Sequence, residues 1–301
     1  MASNTDLADI NEILLGYYLN GQEWYDNDAK KQYEKKKKVA TEQELLAQDR
    51  RASAMADEVI KWAKANGFSG KVSMVWWTAR PGVLANAVGK DVDSRKNPTD
   101  ILIKFSDKKF LGVSAKSTKG KGDIGFKNPG MGTIEKSLKI DLKSVYQKFE
   151  ADAIKKYKLP SSTSERKSKI RKDPALQSKT QALGSKALES IRDAMFKKLN
   201  SMSQNDIKKY IMTDWMDSSQ GLYPPYIKAT GMGNKEPFTA KIDDPLNNDK
   251  LKSLQKSQIK LEKIGNESIG VSAGGKKIMK MRAKFESEKL ASSIKFSGDP
   301  W

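Results

Sequence analysis

The sequence predicts a mixed α/β (α+β) protein: a small mixed sheet flanked by helices, with a helical insertion and a β-rich C-terminal extension. Three observations predict it. From residue 40 the hydrophobic pattern runs helix, strand, strand, strand, helix, as periods of 3.6 and 2 alternate. A polar helical stretch at 159–216 then interrupts before another strand at 223–231. From about residue 237 the chain breaks into short β-like runs.

The elements follow in order. Leu7, Ile10, Leu14 and Tyr17/Tyr18 recur at helical spacing over 5–19. The charged stretch DNDAKKQYEKKKKVATEQELLAQDRR reads as a solvated helical face. A second amphipathic helix covers 40–66, with Met55, Val59 and Trp62/Ala63 on one face and Asn66–Gly67 as its stop. KVSMVWWTARPG is a strand broken by Pro81–Gly82. DILIKF (100–105) and KFLGVSAK (109–116) form a hairpin across a short turn. A Gly- and Lys-rich loop fills 117–132. Ile134, Leu138, Leu142, Val145 and Phe149 then predict one long helix over 133–157, with Thr133 as its N-cap. The polar, basic stretch 159–181 reads as an exposed linker or insertion, followed by helices near 182–200 and 203–216. YPPYIKATG is a strand, and FTAKI, IKLEKIG, SIGVSA, KKIMKMRAKFES and ASSIKFSG supply the β-rich end. The expected organisation is an N-terminal helix and charged linker (1–38), an α/β core (39–232) carrying the insertion at about 159–216, and a C-terminal β-rich part (233–301).

Composition narrows the chemistry. The 301 residues carry 56 Lys+Arg against 37 Asp+Glu, a net charge of +19. Such a surplus attracts polyanions, nucleic acid first among them. There is no cysteine, hence no disulfide, thiol nucleophile or Cys-ligated zinc. There is no histidine, hence no Ser-His-Asp triad and no imidazole base or ligand. Hydrolysis would fall to carboxylates, lysine, hydroxyls and a hard metal ion, for which Mg²⁺ is the natural choice and Mn²⁺ a substitute. No apolar run is long enough to span a bilayer. The N-terminal residues lack the basic start and continuous apolar block of a signal peptide, so an intracellular, cytoplasmic location is expected.

The hairpin holds the most specific pattern. Asp100 begins one strand and Lys116 ends its antiparallel neighbour, which brings the two ends side by side. Ser114 and Lys116 share a strand face, so both point toward Asp100. A carboxylate–lysine pair suits phosphodiester hydrolysis, with Asp100 on the metal and Lys116 orienting water and stabilising developing charge. A single carboxylate seldom suffices for Mg²⁺, so a second acid is expected.

PTD (98–100) and SAK (114–116), with the element order from 40 to about 230, resemble the PD-(D/E)XK superfamily of restriction-endonuclease-like nucleases. The close match covers about twenty residues, and the order match under two-thirds of the chain. The resemblance implies a restriction-endonuclease-like core and a Mg²⁺-dependent nuclease, foremost a DNA endonuclease of restriction or phage type acting on double-stranded DNA. Dimerisation is expected by analogy with double-strand cutters. Ser114 stands where the family has an acid. Glu135, on the helix after the hairpin, is the first candidate to replace it, Glu58 on the preceding helix the second, and Asp123 in the glycine-rich loop the third. Lys119, Lys121 and Lys127 in that loop are candidate phosphate contacts, with Asn97 as a turn residue or phosphate contact. Arg166, Lys167, Lys169, Arg171 and Lys172 form a basic patch that would add sequence-independent affinity. The alternative is a non-catalytic nucleic-acid-binding or virion assembly protein with a decayed nuclease fold.

Overall fold

A computed structural model describes residues 2–92, 97–120, 126–216, 223–245 and 247–301. It is mixed α/β and divides into two compact units, Met1–Ile124 with Gln220–Asn248, and Gly125–Ser219 with Asp249–Trp301.

The first unit opens with α1 (Asn4–Leu19), α2 (Asn27–Lys36) and α3 (Glu42–Ala65). Ser3 and Thr41 start α1 and α3 with capping boxes closed by Asp6 and Glu44. Strands β1 (Val72–Trp77), β2 (Ile101–Phe105), β3 (Phe110–Thr118), β4 (Tyr226–Met232) and β5 (Thr239–Asp243) form one sheet in that order, and the short α4 (Val83–Val88) lies between β1 and β2 in the chain. β1, β2 and β3 are antiparallel, β3 and β4 parallel, β4 and β5 antiparallel. Alternation places Ile101, Ile103, Phe105, Leu111, Val113 and Ala115 on the face covered by α1 and α3, with Ile10, Ile13, Met55 and Val59 opposite. Leu102 faces the other way, onto Leu84 and Val88 of α4.

The second unit contains α5 (Met131–Leu138), α6 (Leu142–Tyr157), α7 (Thr163–Lys172), α8 (Pro174–Asn200), α9 (Gln204–Tyr210) extended by a π turn at Ile211–Trp215, and α10 (Asp249–Lys256). Its sheet is antiparallel in the order β6 (Ile259–Ile264), β7 (Ser268–Ala273), β8 (Lys276–Phe285) and β9 (Ile294–Pro300). Leu188, Ile191 and Met195 of α8 share one core with Val271, Met281 and Ala283 of the sheet.

Several elements differ from the sequence reading. The long helix expected over 133–157 is two, because Lys139 turns left-handed (φ 53°) and Asp141 caps α6 through Ser144 N at 2.8 Å. The apolar period runs across the break because Ile134, Leu138 and Leu142 are all buried in one core. Thr133 lies inside α5, whose N-cap is Gly130. The expected linker at 159–181 is helical: Asp173 caps α8, Pro174 occupies its first position, and Arg166 and Ile170 anchor α7. FTAKI, grouped by sequence with the C-terminal strands, pairs with β4, with Lys228 opposite Asp243. The helices that follow β3 in the chain, α5 and α6, belong to the second unit.

Candidate functional site

A turn stapled by Asn97 leads into β2. The Asn97 oxygen accepts from Thr99 N at 3.2 Å and Thr99 Oγ1 at 2.6 Å, and its amide donates to the carbonyls of Tyr223 and Pro224, each at 3.3 Å. Asn97 is 3% exposed. It is therefore a buried turn residue and not a surface contact for phosphate, since its polar groups are already engaged. Gly112 lets this turn close. A side chain there would collide with Thr99 Oγ1.

The β2–β3 register pairs Ile101 with Val113, so Asp100 stands across from Ser114 and diagonal to Lys116. Asp100 N donates to Val113 O at 2.9 Å and Thr78 N to Asp100 O at 3.0 Å, which fixes the backbone on both sides. Asp100 Oδ2 accepts from Ala115 N at 2.8 Å, Lys116 Nζ at 3.2 Å and Ser114 Oγ at 3.3 Å. Lys116 also donates to its neighbour's carbonyl, Ala115 O, at 2.9 Å. The Lys116 and Asp100 side chains are 41% and 25% exposed, so a ligand in solvent can reach both.

One residue of this cluster escaped the sequence reading. Glu12 on α1 is half-buried, and its Oε2 accepts from the Trp77 indole N–H at 3.0 Å. Burial, and then the charge of Asp100, push the Glu12 carboxyl up to about 7; the Trp77 N–H and the Lys116 ammonium oppose them. The Glu12 carboxyl thus lies within electrostatic range of Asp100 and Lys116. The only trace in sequence is an acid set into the apolar run Ile10–Leu15, and nothing local says what that turn of helix will cover.

The flanks are tied to α3. Arg51, 3% exposed, donates from Nε to Gly233 O at 2.8 Å and from Nη1 to Ser117 Oγ at 2.9 Å, and Ser117 Oγ donates to Gln48 Oε1 at 2.8 Å. On β4, Lys228 is in register with Ser114. Burial, and then the nearby Lys116 charge, hold the Lys228 ammonium below the usual lysine range.

The other expected residues lie elsewhere. Glu135, first choice for the second acid, is in the second unit, where its Oε1 accepts from Leu142 N at 2.8 Å and Lys143 N at 2.7 Å. It caps α6, since a carboxylate is the best partner for the open N–H groups of a helix start. Glu58 is spent on Lys61, at 2.6 Å on the open side of α3. Lys121 and Asp123 lie outside the described residues. Lys119 is exposed just past β3. Lys127 belongs to the second unit, pinned by its N–H to Trp215 O at 2.8 Å.

The basic patch is partly consumed by structure. Arg166, 2% exposed, donates to Leu290 O at 2.8 Å, Pro160 O at 3.0 Å, Ser161 O at 2.9 Å and Glu150 at 2.5 Å, so it is an internal clamp and not a phosphate contact. Arg171 and Lys167 pair with Glu288, and Lys169 donates to Lys158 O. Lys172 is exposed. A guanidinium with five donors suits a buried junction of carbonyls, which one-dimensional charge patterns do not reveal.

Among the described residues no three acidic side chains converge as a metal-binding group, and no helix is long and apolar enough to cross a membrane. No protein-family model matches the chain. A comparison with curated proteins finds no match either.

Proposed function

We propose that the protein is a Mg²⁺-dependent nuclease of the PD-(D/E)XK type, foremost a DNA endonuclease, with Asp100, Lys116 and Glu12 as its working residues. One observation carries the reading: Asp100, held by the Ala115 N–H at 2.8 Å, touches Lys116 Nζ at 3.2 Å on a solvent-accessible strand end, with Glu12 in range of its charge. The strand order supports it in part: α3 is followed by β1, β2, β3 and then β4 in one sheet, as in the order of the resemblance, while the helices between β3 and β4 belong to the second unit.

The donor set fits a hard cation. Two carboxylates that repel one another are relieved by a divalent ion with oxygen ligands. Asp100 and Glu12 would hold Mg²⁺, which when bound polarises the scissile phosphate and acidifies a water. Lys116 supplies a positive charge at the phosphoryl oxygens, where negative charge grows. Lys228, in register with Ser114, adds a second positive charge to the same strand face. Ser114 takes no acid's role; it donates to Asp100 and orients that carboxylate.

That no third acid joins the cluster among the described residues favours a second reading, a nucleic-acid-binding or virion assembly protein with a decayed site. The two separate on incubation of purified protein with plasmid and Mg²⁺. The nuclease reading expects cutting by wild type and its loss, by at least about a hundredfold, in Asp100→Ala, Lys116→Ala and Glu12→Gln. Glu58→Gln and Glu135→Gln should cut normally. If wild type leaves a panel of DNA and RNA substrates intact, or all three site variants still cut, the reading fails.

A further inference from the structure

The second unit has an open cavity of about 460 Å³ between the C-terminal end of α5, the end of α8, α9 and the π turn. Its size suits a small ligand. Lys139, Lys198 and Lys209 line it from three different elements, over a floor that includes Leu138 and Met202. Tyr210 lines it as well. This residue is 5% exposed and its hydroxyl has no hydrogen-bond partner. The Trp215 indole N–H is directed to the same oxygen but falls short of hydrogen-bond geometry, so the tyrosine proton lacks an acceptor. The hydroxyl oxygen is itself sealed from solvent, so Tyr210 shapes the cavity wall and its O–H does not meet a ligand. Burial raises the Tyr210 pKa further, which keeps that proton in place.

The acids in this wall are accounted for. Asp206 turns to the start of α9, where its Oδ2 accepts from Ser203 Oγ at 2.7 Å. Asp214 lies on the π turn, a geometry that recurs at functional sites. Lys127 donates to Thr213 O at 3.3 Å and adds a fourth ammonium beside the same turn.

We infer that this cavity binds the phosphoryl group of a nucleotide, with the three lysines around the phosphate oxygens. The leucine and methionine side are left for the base or sugar, and Asp214 for a ligand hydroxyl or amine. The phosphoryl group has two sources, a free mononucleotide or the end of a nucleic-acid strand. The inference is independent of the acid–lysine cluster in the first unit.

Isothermal titration calorimetry on the full chain tests it with three probes: inorganic phosphate, adenosine monophosphate, and a ten-nucleotide DNA strand with or without a 5′ phosphate. Lys198→Met with Lys209→Met should weaken binding of the phosphate-bearing probes at least about tenfold, and Tyr210→Phe, which alters no accessible polar atom, should leave it unchanged. Glu58→Gln, on the open side of α3 in the first unit, should bind as wild type does. Unfolding temperatures confirm that the variants fold, and Lys155→Met with Lys156→Met on α6 controls for general charge. Tight binding of the mononucleotide identifies a free ligand, and preference for the phosphorylated strand identifies a strand end. The inference is overturned if no phosphate probe binds, if phosphorylated and unphosphorylated strands bind equally while the mononucleotide does not, or if the α6 control weakens binding as much as the cavity variants.

Discussion

Asp100 Oδ2 accepts a hydrogen bond from the backbone N–H of Ala115 at 2.8 Å, across from its own strand. The carboxylate is therefore held by main chain and does not depend on Lys116 for its position. Lys116→Ala should leave unfolding free energy within about 0.5 kcal/mol of wild type while abolishing cutting, as expected of a partly exposed ion pair. Asp100→Ala should lose both, costing about 1–3 kcal/mol because the Ala115 N–H loses its acceptor. Urea denaturation of the two variants side by side checks this; equal stability losses would contradict it.

Glu12 makes stability depend on pH in an unusual sense. Its folded-state pKa lies above the unfolded one, about 7 against 4.5. Between those values the folded state binds more protons than the unfolded state, so stability falls as pH rises from about 4.5 to about 7 and is level above that. The cost at pH 8 is on the order of 2–3 kcal/mol. Glu12→Gln keeps an acceptor for the Trp77 N–H and removes the charge. It should be more stable than wild type at pH 8, with the difference vanishing near pH 4. Mg²⁺ should raise the melting temperature of wild type at pH 8 and leave that of Glu12→Gln unmoved. A flat difference across pH would refute the burial-and-repulsion account.

Gly112 permits Thr99 to sit against β3. Gly112→Ala should destabilise the first unit by about 1–3 kcal/mol through overpacking. It should also lower cutting more than stability explains, because the displaced turn carries Asp100. Thr99→Ser would not relieve the clash with the hydroxyl, whereas Thr99→Ala should restore most of the loss. A double-mutant cycle measures that coupling.

Arg166 and Lys172 lie on one helix and should behave oppositely. Arg166→Ala empties a buried junction and leaves Glu150 without its guanidinium, a loss of about 3–5 kcal/mol. Lys172→Ala should change stability by less than about 0.5 kcal/mol. Thermal unfolding separates them. A DNA-binding assay of the folded variants should show no specific defect in Lys172→Ala beyond a slightly shallower salt dependence.

The sequence by itself determined the strands of the hairpin and the pattern within it. Alternation in DILIKF and KFLGVSAK fixes which residues face the core, and antiparallel pairing then brings Asp100, Ser114 and Lys116 together. Tertiary structure alone decided the rest. Glu12 reaches this cluster from α1, and Trp77, which meets it, is 65 residues away in the chain. Glu135, near in sequence, folds with the second unit and is taken up by the open N–H groups of α6. Arg166 looks like a surface cation in a basic run until three packed segments supply its carbonyls and a carboxylate. The physical reason is common to all three. A side chain's role is set by what desolvates it and what satisfies its charge, and those partners come from distant segments that no local period encodes.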